Sequence, residues 1–380
     1  GTGALNTRTF FYEEVTVSGS HFPKFCSIHD KHLVVAGAAT APNTIFFSGT
    51  SDINDFTSSG SGSIALDDQV VGLKSFRGDL IIFCRNSIYK LININDSSNI
   101  AVVPITQNVG CLDGHSIQEI GGDLIFLSPD GFRLVAGTAR IGDVELSSIS
   151  RQIQSIVSTI AANINTFIIS SAVLRSKSQY RLFYSSSTGS TITSKGLIGT
   201  ITPNGFEWSE TIGIQAHGFV SGFNNESVEK IFHGDKDGYV YNHNTGNSFN
   251  PGGVSTNIDA RYKTPNLDFG DAGTLKTLHY TKISFTPEGS VQPTLKITYD
   301  FDDTNRPQPP AYTLDAIPIP AVFSVSVFGT AVFGASSDPM VRQAVQGSGH
   351  NVAFKIFSQD SNAPYSINGL YVDYRPSGRR

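Results

Sequence analysis

Charge is in short supply: Asp, Glu, Lys and Arg make up 16% of the 380 residues, well under the usual quarter for soluble domains. The 27 Lys and Arg are scattered among 32 Asp and Glu, for a net charge of −5, and no basic block is present to neutralise a run of phosphates. Tight, sequence-reading binding to nucleic acid depends on such contacts and is disfavoured. Cysteine is scarce too. Cys26, Cys84 and Cys111 are odd in number and far apart, which gives neither a disulfide framework nor a paired zinc signature, so a reducing compartment is expected. The N-terminal GTGALNTRTFFYEEV lacks the apolar stretch of a secretory signal. It opens on Gly1 rather than an initiator methionine, as a trimmed chain or a piece of a longer one would. The longest uncharged stretch, residues 317–337, is broken by Pro318, Pro320, Gly329 and Gly334, so no membrane-spanning helix is expected.

Motifs with a catalytic mechanism are missing as well. The Gly-rich SSGSGS at 58–63 lacks the Lys-Ser/Thr of a nucleotide-binding loop, and no G-x-S-x-G elbow occurs. Asp67-Asp68 and Asp302-Asp303 are adjacent in sequence, which on a strand turns them to opposite faces and on a loop means solvation. Paired-carboxylate chemistry needs two acids converging across a cleft, and nothing local supports it. Two metal readings are weak. Cys26, His29 and His32 offer three zinc-type ligands and no fourth, so solvated turn histidines are the favoured reading. Asp235 and Asp237 form a D-x-D-G turn that lacks the later bidentate Glu of a calcium loop, and a hairpin turn is favoured. Neither an enzyme, a metal site nor a cofactor is expected. Arg375, Arg379 and Arg380 form the nearest thing to a basic tail, read as a solvated end or as a partner for acidic residues of an adjacent subunit.

What is abundant is the turn-maker and the short apolar strand, with 37 Gly and 17 Pro. Hairpins recur from residue 30 to residue 245: 32–37 with 43–49, 79–84 with 88–92 around Asn86-Ser87, and 123–128 with 132–137 around Asp130-Gly131. Weaker ones follow, 179–187 with 195–201, 205–210 with 217–222, and 229–234 with 239–244. In the 79–84 strand, Leu80, Ile82 and Cys84 face one side and Ile81 and Phe83 the other, so both faces are apolar and both must be covered. Leu33, Leu80 and Leu124 stand 47 and then 44 residues apart, a spacing that fits one four-stranded propeller blade per repeat. A two-sheet sandwich would also cover such strands and remains the competitor. One segment departs from this texture. Ile149, Ile153, Ile156 and Ile160 recur at offsets of 4, 3 and 4, which predicts a single amphipathic helix, packed on the rim or docking a neighbouring subunit.

Past residue 250 the pattern changes to alternation. Leu295, Ile297, Tyr299 and Phe301 interleave with Lys296, Thr298 and Asp300, as in a strand with one wet face. The expected architecture is therefore all-β: a β-propeller of about six blades over residues 1–255, then an antiparallel β-sandwich over residues 256–380. Inserted in the sandwich, at 317–337, is a Val-Phe-Ser/Gly repeat whose Phe323, Phe328 and Phe333 would form a sticky patch if exposed.

The runs LVVAGAATAPNTIFFSGTSDINDF, DDQVVGLKSFRGDLIIFCRNSIYKL and VGCLDGHSIQEIGGDLIFLSPDGFRLVAGTARIGD resemble the tail nozzle proteins of short-tailed bacteriophages. The resemblance continues in YKTPNLDFGD, in residues 341–374 and in the closing GRR. It implies a β-propeller protein of the virion tail, assembled in the host cytoplasm as a ring, a homo-hexamer, below the portal and head–tail adaptor. Such a ring extends the channel through which genomic DNA leaves without specific binding, and it contacts tail fibres or spikes. The matching positions are Gly37, Pro42, Asn43, Arg77, Gly78, Asp79, Asn86, Ser87, Asp130, Gly131, Ile141, Gly142 and Asp143, which read as turn and blade-closing residues. Phe323, Phe328 and Phe333 are the candidate partner contacts.

The rival reading is a tail-associated carbohydrate-binding propeller, with Tyr89, Trp208, Tyr239 and Tyr241 stacking on sugars. A peptide-binding scaffold is disfavoured because Trp-Asp blade signatures are absent.

Overall fold

The computed structural model describes residues 17, 21–135, 149–186, 194–235, 237–249, 254–315 and 340–378. The protein is all-β, with many small antiparallel sheets and, among the described residues, one α-helix. It divides into two compact units, Gly1–Asn244 and Thr245–Arg380, whereas the sequence reading set its boundary at 255/256.

The first unit is a succession of sheets, each built from consecutive strands. The first holds β1 (Phe25–His29), β2 (His32–Ala38), β3 (Ala41–Phe47) and β4 (Gly62–Ala65), and the second holds β5 (Val70–Phe76), β6 (Asp79–Cys84), β7 (Ile88–Ile92) and β8 (Ala101–Thr106). The third has three strands, β9 (Gln118–Ile120), β10 (Asp123–Ser128) and β11 (Gly131–Leu134). The fourth has β12 (Phe167–Leu174), β13 (Gln179–Ser186), β14 (Ser194–Thr202) and β15 (Gly205–Ile212), and the fifth has β16 (Gly218–Phe223), β17 (Glu229–Gly234) and β18 (Val240–Asn242). Five of the six expected hairpin pairings are present. The sixth is not: residues 205–210 do not pair with 217–222. β15 continues the fourth sheet by pairing with β14, and β16 opens the fifth by pairing with β17. Both stretches have strand-like patterning, which does not by itself fix the neighbour each takes.

The two-sided apolar pattern of β6 does what its alternation demands. Leu80, Ile82 and Cys84 join Val34, Ala36, Ile45 and Phe47 of the first sheet in one core. Ile81 and Phe83 join Leu124 and Phe126 of β10 in the next. Strand β10 repeats the device, because its other face, Ile125 and Leu127, packs with Tyr180, Leu182 and Tyr184 of β13. The other face of β13 meets the fifth sheet, where the rings of Phe183 and Phe219 lie edge to face at 4.7 Å. Each sheet thus serves as the cover of the one before it. Burying a Leu, Ile or Phe side chain stabilises by about 1.5–3 kcal/mol, and in these strands both faces contribute.

The predicted helix is present as α1 (Gln154–Ala162), entered through a 3₁₀ turn at Arg151–Ile153. Ile153, Val157 and Ile160 are buried and Ile149 and Ile156 pack beside them, all in the core shared by the third and fourth sheets. It fills a core rather than standing clear of one.

The second unit has two antiparallel sheets. One has the order β19 (Ile258–Lys263), β25 (Val352–Asp360), β21 (Thr294–Tyr299), β22 (Tyr312–Thr313). In the other, β20 (Lys276–Pro287) is flanked by β26 (Tyr365–Pro376) on one side and by β23 (Met340–Ala344) and β24 (Ser348–Gly349) on the other. Leu295, Ile297, Phe354 and Ile356 of the first sheet share one core with Leu278, Ile283 and Phe285 of the second. The alternation expected along 295–301 stops early. Tyr299 is the last buried member, and Phe301 is 73% exposed because Asp300, Phe301 and Asp302 all take positive φ. A left-handed turn cannot continue a strand. The Asp300 carboxylate holds this turn by accepting the backbone N–H groups of His350 (2.7 Å) and Asn351 (3.3 Å).

Candidate functional site

Most of the residues singled out in the sequence lie at turns, and there they set backbone geometry. Arg77 and Gly78 link β5 to β6 with φ of 51° and 86°, as a two-residue type I′ hairpin loop requires. The Arg77 side chain then crosses to the next sheet. Its guanidinium lies 5.0 Å from the Phe76 ring centroid and donates to the carbonyl of Gly122. Asp79 pairs with Lys90 across β6 and β7 at 3.4 Å. Asn43 joins β3 to the approach of the second sheet: its side-chain amide donates to the Leu66 carbonyl and its own carbonyl accepts the Leu66 N–H, both at 2.8 Å. Pro42 beside it is exposed. Gly37 has φ +79°, and a Cβ there would stand 2.6 Å from the Phe25 ring, so the close approach of β1 needs a glycine. Gly131 opens β11, and the Asp130 carboxylate before it accepts from Ser128 Oγ and Arg133 Nε, each at 3.0 Å. Ile141, Gly142, Asp143, Phe323, Phe328, Phe333, Arg379 and Arg380 lie outside the described residues.

The Asn86-Ser87 turn shows a partner that sequence reading missed. Asp68, read there as solvated, accepts the Asn86 backbone N–H at 2.7 Å and the Ser87 hydroxyl at 2.9 Å. One carboxylate therefore clamps the hairpin of two other strands. Gly110 passes so close over the same turn that a Cβ would lie 2.0 Å from the Arg85 carbonyl oxygen.

The histidine reading also needs correction. His29 and His32 are not solvated: they are 6% and 0% exposed. His29 Nδ1 lies 2.9 Å from Ser75 Oγ, and His32 lies 2.5 Å from the Ser48 carbonyl and 3.1 Å from Asn95 Oδ1. Burial lowers the His29 pKa from its ordinary value. Cys26 is exposed and faces away on β1. Among the described residues no three His, Cys, Asp or Glu are grouped to hold a metal ion.

Asp235 caps its own hairpin. Its carboxylate accepts the N–H groups of Asp237 and Tyr239 and the Tyr241 hydroxyl, all at 2.9 Å. Beside it sits a histidine pair that the sequence did not disclose, with His233 Nδ1 and His243 Nε2 2.6 Å apart. Burial lowers the pKa of both and, with His233 and Arg181 adjacent, carries His243 to about 4. As neutral rings one donates and the other accepts; if both are protonated, two donors face each other.

Of the four aromatics considered as sugar platforms, Tyr89 is buried in the core between the first two sheets. Trp208 stacks on Phe132 at 4.6 Å and donates its indole N–H to the Ile149 carbonyl at 2.8 Å. Tyr241 stacks on His233 at 4.7 Å, and Tyr239 is half exposed.

The second unit contains a cleft of about 620 Å3 lined by β19, the end of β25 and β26. Its walls include Ile258, Tyr262, Ile356, Ser358, Tyr365 and Ile367. At its rim Arg261 donates to Asp259, and the Asp360 carboxylate accepts the Asn362 backbone N–H at 2.9 Å.

No family model matches the chain, and no curated protein matches it. Among solved structures, it is similar to an exo-β-1,3-galactanase from Phanerochaete chrysosporium in complex with β-1,3-galactotriose. The identity is 8%, the match covers 94% of this chain and 98% of the other, and the TM-score is 0.31. At that score the likeness supports neither a fold assignment nor an activity.

Proposed function

We propose that the protein is a non-enzymatic structural component of a bacteriophage tail, a nozzle ring that extends the DNA-exit channel below the portal and adaptor. In this reading the five stacked sheets are blades of a propeller and the second unit is a β-sandwich. The observation that carries it is the succession of strands with two dry faces, each sheet covering the next in chain order, as radially arranged blades require. The resemblance of residues 33–143 to nozzle proteins supports the same reading, and the residues it marks that are described serve turn geometry and inter-sheet ties. Sparse charge suits a conduit. Each phosphate paired with Lys or Arg adds affinity through counterion release, so a wall of basic groups would hold DNA rather than pass it.

The test is to mix the purified chain with the head–tail adaptor protein and measure the particle mass and its projection in the electron microscope. The expected result is a ring with six-fold symmetry and an open bore. A chain that stays small with adaptor and gains melting temperature on adding glycan would replace this reading with the carbohydrate-binding one.

A further inference from the structure

In the second unit, the sheet β19-β25-β21-β22 has an open end. Strand β19 pairs with β25 alone among the described residues, so one side of its backbone offers unpaired N–H and C=O groups. Behind that edge the core does not close. Ile258, Ala260 and Tyr262 stand opposite Asp360, Ser358 and Ile356, on the face that is sealed at Ile356 and Phe354, yet Tyr262 is 52% exposed. The gap is the cleft of about 620 Å3, and its far wall is β26, which among the described residues pairs with β20 alone. An open strand edge with an apolar trough behind it fits one extended segment, with main-chain hydrogen bonds along β19 and every second side chain in the trough.

The chain itself carries such a segment. Phe323, Val325 and Val327 alternate with Ser324 and Ser326, and residues 317–337 contain no charge. The stretch between Asp315 and Met340 leaves from β22 and rejoins at β23, the strands at the opposite ends of the two sheets from β19 and β26. Half of its 24 residues, fully extended at about 3.3 Å each, project roughly 40 Å, beyond the width of a four-stranded sheet at about 5 Å per strand. We propose that residues 323–327 of one copy insert beside β19 of a second copy, filling its cleft and linking subunits through an exchanged strand. The inference does not rest on the nozzle reading, since a ring could be joined through other surfaces.

Two variants separate donor from acceptor. Ala260→Arg blocks the trough and leaves the segment intact, and Val325→Asp spoils the segment and leaves the trough open. Light scattering should give multiples of 40.8 kDa for the unmodified chain, the mass of one chain for each variant alone, and twice that mass for their equimolar mixture. Unchanged thermal unfolding of the variants separates lost exchange from lost fold. If Ala260→Arg unfolds, Tyr262→Asp takes its place as the blocked acceptor. A labelled peptide of residues 321–329 should bind the Val325→Asp protein at least tenfold more tightly than it binds a chain carrying a blocked acceptor as well. The proposal is overturned if the unmodified chain is a monomer, if its oligomers survive both variants, or if the folded variants fail to pair when mixed. A six-fold ring that survives both variants would remove the exchanged strand and leave the nozzle reading standing.

Discussion

The hydroxyl of Tyr180 donates to the backbone carbonyl of Ser116 at 2.8 Å, across 64 residues of chain. Tyr180 is fully buried, and burial holds its pKa well above the ordinary tyrosine value. Its ring packs edge to face on Phe132 at 5.5 Å, so the residue ties the 3₁₀ turn at Gly114–Ser116 to the fourth sheet. Tyr180→Phe keeps the ring and orphans the Ser116 carbonyl. The expected loss is about 1–3 kcal/mol, measured by urea unfolding; a loss within about 0.5 kcal/mol, the range of ordinary surface substitutions, would mean that the bond contributes nothing.

The two dry faces of β6 make a paired prediction. Ile81→Ala and Ile82→Ala remove side chains from different cores, and each should cost about 2–5 kcal/mol. On β21, where one face is wetter, Ile297→Ala should cost that much and Lys296→Ala less than about 1 kcal/mol. If Ile81→Ala proved as mild as Lys296→Ala, that face of β6 would be uncovered.

Asp67 and Asp68 are neighbours with different duties. Asp68→Ala removes the acceptor of the Asn86-Ser87 turn and should cost about 1.5–3 kcal/mol, the range for bonds to a charged acceptor. Asp67→Ala should stay within about 0.5 kcal/mol. Thermal unfolding of the two variants side by side distinguishes them.

The His233–His243 pair predicts acid sensitivity. Both folded-state pKa values lie below 6.5, so the unfolded chain takes up protons first as pH falls. Stability from the pair is complete above about pH 6.5 and declines as pH drops toward about 4, by at most about 1.4 kcal/mol per pH unit for each group. His243→Phe, facing Phe183 and Phe219, should flatten the slope of unfolding free energy between those values. An unchanged slope would place the acid sensitivity elsewhere.

Thiol labelling should be equally discriminating. Burial raises Cys84 and Cys111 to about 12, while Cys26 is exposed. The folded protein should react at one thiol with a disulfide reagent at pH 8 and at three after denaturation. Fast reaction at a second thiol would show that one of the buried pair opens readily.

The strands were legible because their cover is written locally. An unbroken apolar run over 80–84 asks for cover on both faces of its strand, and the isoleucine spacing of 149–160 belongs to a helix. What was not legible depends on partners far along the chain. Nothing near His32 announces Asn95, and nothing near Asp68 marks it as the anchor of residues 86 and 87. Phe301 was misplaced because alternation does not register a left-handed turn, which three consecutive positive φ values impose. The hairpin assigned to 205–222 failed for a related reason: two adjacent strand-like segments do not say which sheet each will join.

Each described sheet of the first unit is woven from one uninterrupted stretch of chain, whereas in the second unit β19 lies against residues about a hundred positions later and β20 against β26. The two halves therefore have different schedules. During synthesis the first can add sheet upon sheet as soon as each stretch emerges, while the second cannot take shape until β26, about ninety residues after β20, has been made. A chain cut just before Tyr365 would keep the first unit's sheets and deprive β20 of its long partner β26, so the loss falls on the second unit.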